Sequence, residues 1–189
     1  RLHHLVLAAS RRSSRHFCQR TCAWLRRLAP GCDAGPRVVA MAVNPDFAGR
    51  TYPPSGPYAV DAALIAAFAA AVGSTDPVHT DAAAAQAAGY GDVIAPPTMA
   101  VRFSQQSERA YVTDPEAAID FSRVVHGEQR FVHHRPITAG DELVGVTTVD
   151  AVRSAGGHSM VTTRTELATT AGDAVATSTS TIVVRGGEE

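Results

Sequence analysis

From Val124 the chain becomes a succession of strand-like stretches with very little room between them. EQRFVHHRPI, DELVGVTTVDAVRS, HSMVTTRTELAT and AVATSTSTIVVR are rich in Val, Thr and Ile and poor in helix formers. TAGD, AGG and TAGD separate them, and these are turn signals. Three long strands joined by turns this short imply an antiparallel meander. TAGD recurs at 138–141 and 170–173 as turn chemistry, not as an internal repeat.

The preceding segment has a different texture. Pro53, Pro54, Gly56 and Pro57 make an extended, turn-rich approach. In YAVDAALIAAFAAAVG, Asp61 is placed to cap a helix, and Leu64, Phe68 and Val72 follow at i, i+4 and i+8. Nearly all the other positions are alanine, so this helix is expected to pack on several sides. Gly73 ends it. Thr80 or Asp81 caps a short helix in DAAAAQAA, which Gly89 stops. A third helix starts near Pro97, where a missing N–H costs nothing, and Met99, Phe103 and, less regularly, Ala110 mark its apolar stripe. TDPEAAIDFS reads as a loop. Helices come first and strands follow. The fold class is therefore α+β, with a sheet that needs a helix against its apolar face.

With 189 residues, 45% hydrophobic and 19% charged, the chain is long enough for one domain with a real core. No apolar run approaches the ~20 residues of a membrane span. The net charge of −1 hides an asymmetry. Residues 1–40 hold eight arginines and a single acid, Asp33, while the remainder is strongly acidic. That balance argues against nucleic-acid binding by the remainder. Cys18, Cys22, Cys32 and the only tryptophan, Trp24, also lie in the first block, so residues 41–189 have no disulfide and no thiolate chemistry of their own. The first block has the composition of an organellar transit peptide. Against that, Met41 opens a segment of abruptly different composition, and residues 1–40 are expected to be upstream translated sequence or a presequence. The working domain is then 41–189, cytoplasmic, or mitochondrial if the presequence is genuine.

Chemistry-bearing residues gather in GSTDPVHTD, residues 73–81: Ser74, Asp76 and His79, with Pro77 between the last two. On spacing alone His79 is a loop histidine bonded to backbone, and Asp76 and Asp81 cap turns. His133 and His134 are adjacent in a strand-like stretch, so they are expected to face opposite sides and not to chelate one metal. Tyr90 and Thr98 either line a channel or pack under the third helix.

Taken together, GSTDPVHTD, then GYGDVIAPPTM, then VVHGEQRFVHHRPITAGDEL resemble the MaoC-like dehydratase family, in particular its short members with one hot-dog domain. The likeness runs from about Phe47 to Val184. It implies a hot-dog fold, a long central helix wrapped by a curved antiparallel sheet. It also implies a subunit of a (3R)-hydroxyacyl thioester dehydratase or hydratase in fatty-acid metabolism, paired as a homodimer or with a second MaoC-like chain. The thioester is carried on coenzyme A or acyl carrier protein, and no metal or other cofactor is implied.

Such a reaction removes a weakly acidic α-proton and expels hydroxide, so it needs a base in reach and a donor for the enolate oxygen. Histidine suits the base role near neutral pH. On the family pattern His79 falls on the base, Asp76 on an asparagine, Ser74 on the catalytic aspartate, and Pro97 on the glycine whose N–H holds the enolate. Proline has no N–H. The resemblance therefore implies a tunnel-forming subunit, weakly catalytic or non-catalytic by itself. The alternatives are a self-sufficient enoyl hydratase homodimer using His79 and a non-catalytic acyl-binding protein. A thioesterase fits less well, because its carboxylate belongs on or near the central helix and Glu108 lies too far along it. Deleting residues 1–40 is expected to leave melting temperature and sedimentation unchanged; a large fall in melting temperature would make the block part of the folded unit.

Overall fold

The computed structural model describes residues 43–186, and the Arg-rich block 1–40 with its three cysteines lies outside them. Among the described residues there are five strands and three α-helices. The strands are β1 (Ser55–Ala59), β2 (Val124–His133), β3 (Glu142–Ala155), β4 (His158–Thr169) and β5 (Ala174–Val184). The helices are α1 (Ala62–Ala71), α2 (Ala82–Ala87) and α3 (Ala100–Val112). All pairings are antiparallel, and the order across the sheet is β1-β3-β4-β5-β2. The meander β3-β4-β5 is the one expected, with Gly156, Gly157 and Gly172 in the left-handed region at its turns.

Three expectations change. SGPYA is a strand rather than a turn-rich approach: β1 pairs with β3 on the sheet edge, where proline's missing N–H is tolerated. The strand marked by EQRFVHHRPI is displaced: β2 starts at Val124, takes in HGEQ and stops at His133, and the register shifts between His126 and Glu128 as one extra residue is absorbed. α1 packs on one side only. Ile65 and Ala69 are buried, Leu64 and Phe68 are half-buried, and Val72 is 51% exposed. Alanine has too little side chain to need a partner, so an alanine-rich helix tolerates solvent on several faces. Its ends follow the sequence: Asp61 accepts from the Leu64 N–H at 2.6 Å, and Gly73 follows at φ +70°.

A 3-10 turn, Pro97–Met99, leads into α3, which lies on the inner face of the sheet. Its buried stripe is Ala100, Phe103, Ser104, Ser107, Glu108 and Tyr111, with Ala110 exposed. That stripe is apolar at both ends and polar in the middle, and the strands match it. One apolar cluster contains Met99, Phe103, Leu143 and Leu167, and the other contains Tyr111, Val149, Val161 and Val184. Along β3, β4 and β5 the inward residues between these clusters are Thr147, Thr163, Thr165, Ser178 and Ser180, all buried. Burying Met99 and Phe103 contributes about 2–3 kcal/mol each. The polar band contributes specificity, since a buried polar group left without a partner is costly. Thr147 bonds Thr165 at 2.9 Å, and the Thr163 hydroxyl donates to Glu108 Oε1 at 3.1 Å. Gln129 Oε1 and Ser180 Oγ have no partner among the described residues.

Gly145 on β3 lies directly under the helix at Ser107. A Cβ there would collide with the Ser107 side chain. Gly145→Ala is therefore expected to lower stability by about 1–3 kcal/mol in urea unfolding, and Ser107→Ala is expected to recover part of it.

Burial pushes the Glu108 carboxyl up from 4.5 to about 7, against the opposing pull of the Thr163 hydrogen bond. The folded state thus holds a proton that the unfolded state releases above about pH 4.5. Stability falls as pH rises from there to about 7 and is flat beyond, at a cost of roughly 3 kcal/mol at most. Glu108→Gln is expected to match the parent at pH 4 and exceed it at pH 8. Equal pH dependence of the two melting temperatures would show that the carboxyl stays ionised in the fold.

Candidate functional site

The site is assembled by three segments strapped to one another through backbone. Asp76 Oδ1 accepts from the Val78 N–H at 3.1 Å and sets the 3-10 turn Pro77–His79. The Val78 carbonyl accepts from Ile94 N at 3.1 Å, and Ala95 N donates to the Ile137 carbonyl at 2.8 Å. Residues 137–141 are fixed in turn by Asp141, which takes both Arg135 nitrogens at 2.8 Å and the Thr138 N–H at 2.8 Å. Arg135 and Asp141 are thus an anchor for the loop, a bidentate pair with strong geometric preference.

These segments line a half-open cavity of about 680 Å³. Its walls are Asp76, Val78 and His79 from the turn, Ala88 and Tyr90 after α2, residues 94–97, and residues 133–137. Of the residues singled out in the sequence, Asp76, His79, Tyr90 and Pro97 line it. Ser74 and Thr98 are not among the lining residues. Ser74 follows the end of α1, where its N–H bonds the Ala69 carbonyl at 2.9 Å, and Thr98 is exposed in the 3-10 turn Pro97–Met99.

His79 is buried, 6% exposed, and its Nδ1 lies 2.7 Å from the Ile94 carbonyl. A carbonyl only accepts, so Nδ1 carries the proton and the neutral ring keeps its lone pair on Nε2. That is the tautomer of a proton acceptor. Asp76 is spent at one oxygen on the turn it caps. The helix side of the cavity is poor in donors: Pro96 and Pro97 have no N–H, and the Thr98 N–H is the first after Ala95.

The two histidines expected on opposite faces of a strand are both exposed, and both line the cavity. β2 ends at His133, so strand alternation does not extend to His134. His133 Nε2 is 3.0 Å from the Pro97 carbonyl, and His134 Nε2 is 3.2 Å from Thr177 Oγ1. Sequence reasoning gave neither a place at the site. HHRP beside the anchoring AGD turn was the available signal. Glu108 is absent from the lining. Among the described residues no group of three metal-ligating side chains converges, and no helix is long and apolar enough to cross a membrane.

A helix on an antiparallel five-stranded sheet, with a histidine turn strapped to the segment that leads into the helix, is the MaoC-like hot-dog architecture. The chain belongs to the family of FAS1-like proteins with a dehydratase domain region, whose model matches residues 46–178. A protein of Saccharopolyspora erythraea known only as a UPF0336 protein is 48% identical over 149 residues, 79% of this chain and 96% of the relative. Among solved structures, the C-terminally truncated HadBC complex of Mycobacterium tuberculosis, a (3R)-hydroxyacyl-ACP dehydratase, superposes with a TM-score of 0.65 at 26% identity. That match covers 73% of this chain and 97% of the other. A MaoC-like dehydratase gives a TM-score of 0.69 at 30% identity, covering 75% of this chain and 43% of that longer one.

Proposed function

We propose that this chain is a subunit of a dehydratase or hydratase acting on (3R)-hydroxyacyl thioesters of coenzyme A or acyl carrier protein. It shapes the acyl tunnel with a second hot-dog chain, a copy of itself or a MaoC-like partner, and is a weak catalyst alone. The observation that carries the reading is His79, held by the Ile94 carbonyl as a base on the wall of a cavity large enough for an acyl thioester head. The weakness follows from Pro97, which has no N–H at the position where the resemblance places the enolate donor, and from Ser74, which supplies no carboxylate. Loss of one such donor typically costs roughly 10²–10³ in rate.

Two further observations support a paired chain. β2 is an edge strand with one side unpaired, and it exposes Val125 and Val132 at 46% and 47%. A long edge strand with unpaired backbone groups is a liability that natural sheets cover. The name of the HadBC complex also describes a two-chain dehydratase.

Purified alone, the chain is expected to sediment as a dimer and to hydrate trans-2-enoyl thioesters well below the ordinary enzyme range of roughly 1–10³ s⁻¹. Pro97→Gly is expected to raise that rate about tenfold or more, and co-expression with a MaoC-like partner to raise it further. If the unaltered chain already turns over in the ordinary range and loses this on His79→Ala, it is a self-sufficient hydratase. The free Nε2 of His79 is the feature that favours that second reading.

A further inference from the structure

The cavity has a base and a shortage of donors. Drawing a proton from the carbon beside a thioester carbonyl builds negative charge on the carbonyl oxygen, and that charge needs an N–H or O–H aimed at it. The backbone from 94 to 97 has none to spare. The Ile94 N–H bonds Val78, the Ala95 N–H bonds Ile137, and two prolines follow. His79 spends its ring N–H on Ile94. Arg135 is clamped on Asp141 through both terminal nitrogens.

Of the remaining side-chain donors in the lining, the Tyr90 hydroxyl, His134 and His133, only His133 is bonded to Pro97 itself. His133 Nε2 lies 3.0 Å from the Pro97 carbonyl, and because a carbonyl only accepts, that nitrogen carries the proton. The ring ends β2 beside Phe131, with centroids 6.2 Å apart. It is exposed, so it can exchange one acceptor for another without stranding a buried polar group. A thioester oxygen seated against Pro97 meets this N–H at a position where Pro96 and Pro97 supply none of their own.

We infer that His133 binds the carbonyl oxygen of the acyl thioester, giving it the Nε2–H that otherwise goes to the Pro97 carbonyl. The inference rests on the acyl-thioester reading above. His133 transfers no proton. His79 Nε2 takes the α-proton, the C–H electron pair forms the Cα–Cβ double bond through an enolate whose oxygen His133 holds, and the Cβ–O bond breaks. Hydroxide leaves with the proton that His79 took, as water, and His79 returns to its neutral form.

The test uses the full chain and trans-2-enoyl-CoA carrying ¹³C at the thioester carbonyl, with butenoyl, octenoyl and hexadecenoyl chains. Isotope-edited infrared difference spectra read the strength of the hydrogen bond to the bound carbonyl, and titration reads the dissociation constant. In the parent the bound carbonyl band is expected below its position in an apolar solvent. In His133→Phe it returns to that position and binding weakens about tenfold, the worth of one hydrogen bond. His133→Gln, which keeps a neutral donor, retains much of the shift. A shift that survives unchanged in His133→Phe overturns the role of His133 and leaves the substrate class standing. If the parent binds none of the three thioesters, both readings fall together.

Discussion

The closeness of α3 to the sheet is the constraint on which the rest depends. Gly145 lets Ser107 sit where a side chain on β3 would otherwise be, and the helix settles with Phe103 and Tyr111 in separate apolar clusters. The depth of that seat decides where Pro97 comes to rest, and Pro97 is one wall of the cavity. Between the two clusters the interior is polar and selects one alignment of helix on sheet. A helix shifted along its axis would leave Glu108 away from Thr163 and bury a carboxyl with no partner, which is costly in a low-dielectric interior.

At the candidate site the histidine tautomers are set by carbonyls rather than by charges. Ile94 decides which nitrogen of His79 accepts, and Pro97 decides which nitrogen of His133 donates. Both carbonyls belong to one short segment between α2 and α3, held at Val78 on one side and Ile137 on the other. The ion pair of Arg135 with Asp141 serves as a clamp on the loop that carries Ile137. A site organised in this way keeps its tautomers so long as its backbone straps hold, and it needs no buried charge to do so.

Much of this was legible in the residues. β3, β4 and β5 follow from Val/Thr stretches and their turns, and the caps Asp61 and Asp81 are where the sequence puts them. β1 was not legible, because Gly56 and Pro57 are turn residues everywhere except on an edge. In α1 the alanines carry no volume to mark a buried face, so Leu64 and Phe68 looked like the stripe that Ile65 and Ala69 occupy. At the site, family spacing brings Asp76, His79, Tyr90 and Pro97 to one cavity, but spacing along a loop cannot say which way Ser74 turns after the end of α1. His133 and Glu108 were opaque for a shared reason. A strand's end and a helix's polar middle are both decided by what lies across from them, and that partner is far away in sequence.

The middle of β5 reads Thr-Ser-Thr-Ser-Thr, with serines inward against the polar band and threonines outward. In most half-buried strands a one-residue slip exchanges apolar for polar and is forbidden by solvent alone. Here a slip across 177–181 exchanges one hydroxyl for another that differs by a methyl group. The alignment of β5 between β4 and β2 must therefore be imposed from its ends, by Val175 and Ala176 in one cluster and Val184 in the other. The strand behaves like a ruler graduated only at its two tips, and substitutions among its central hydroxyls should matter far less than the loss of either anchor.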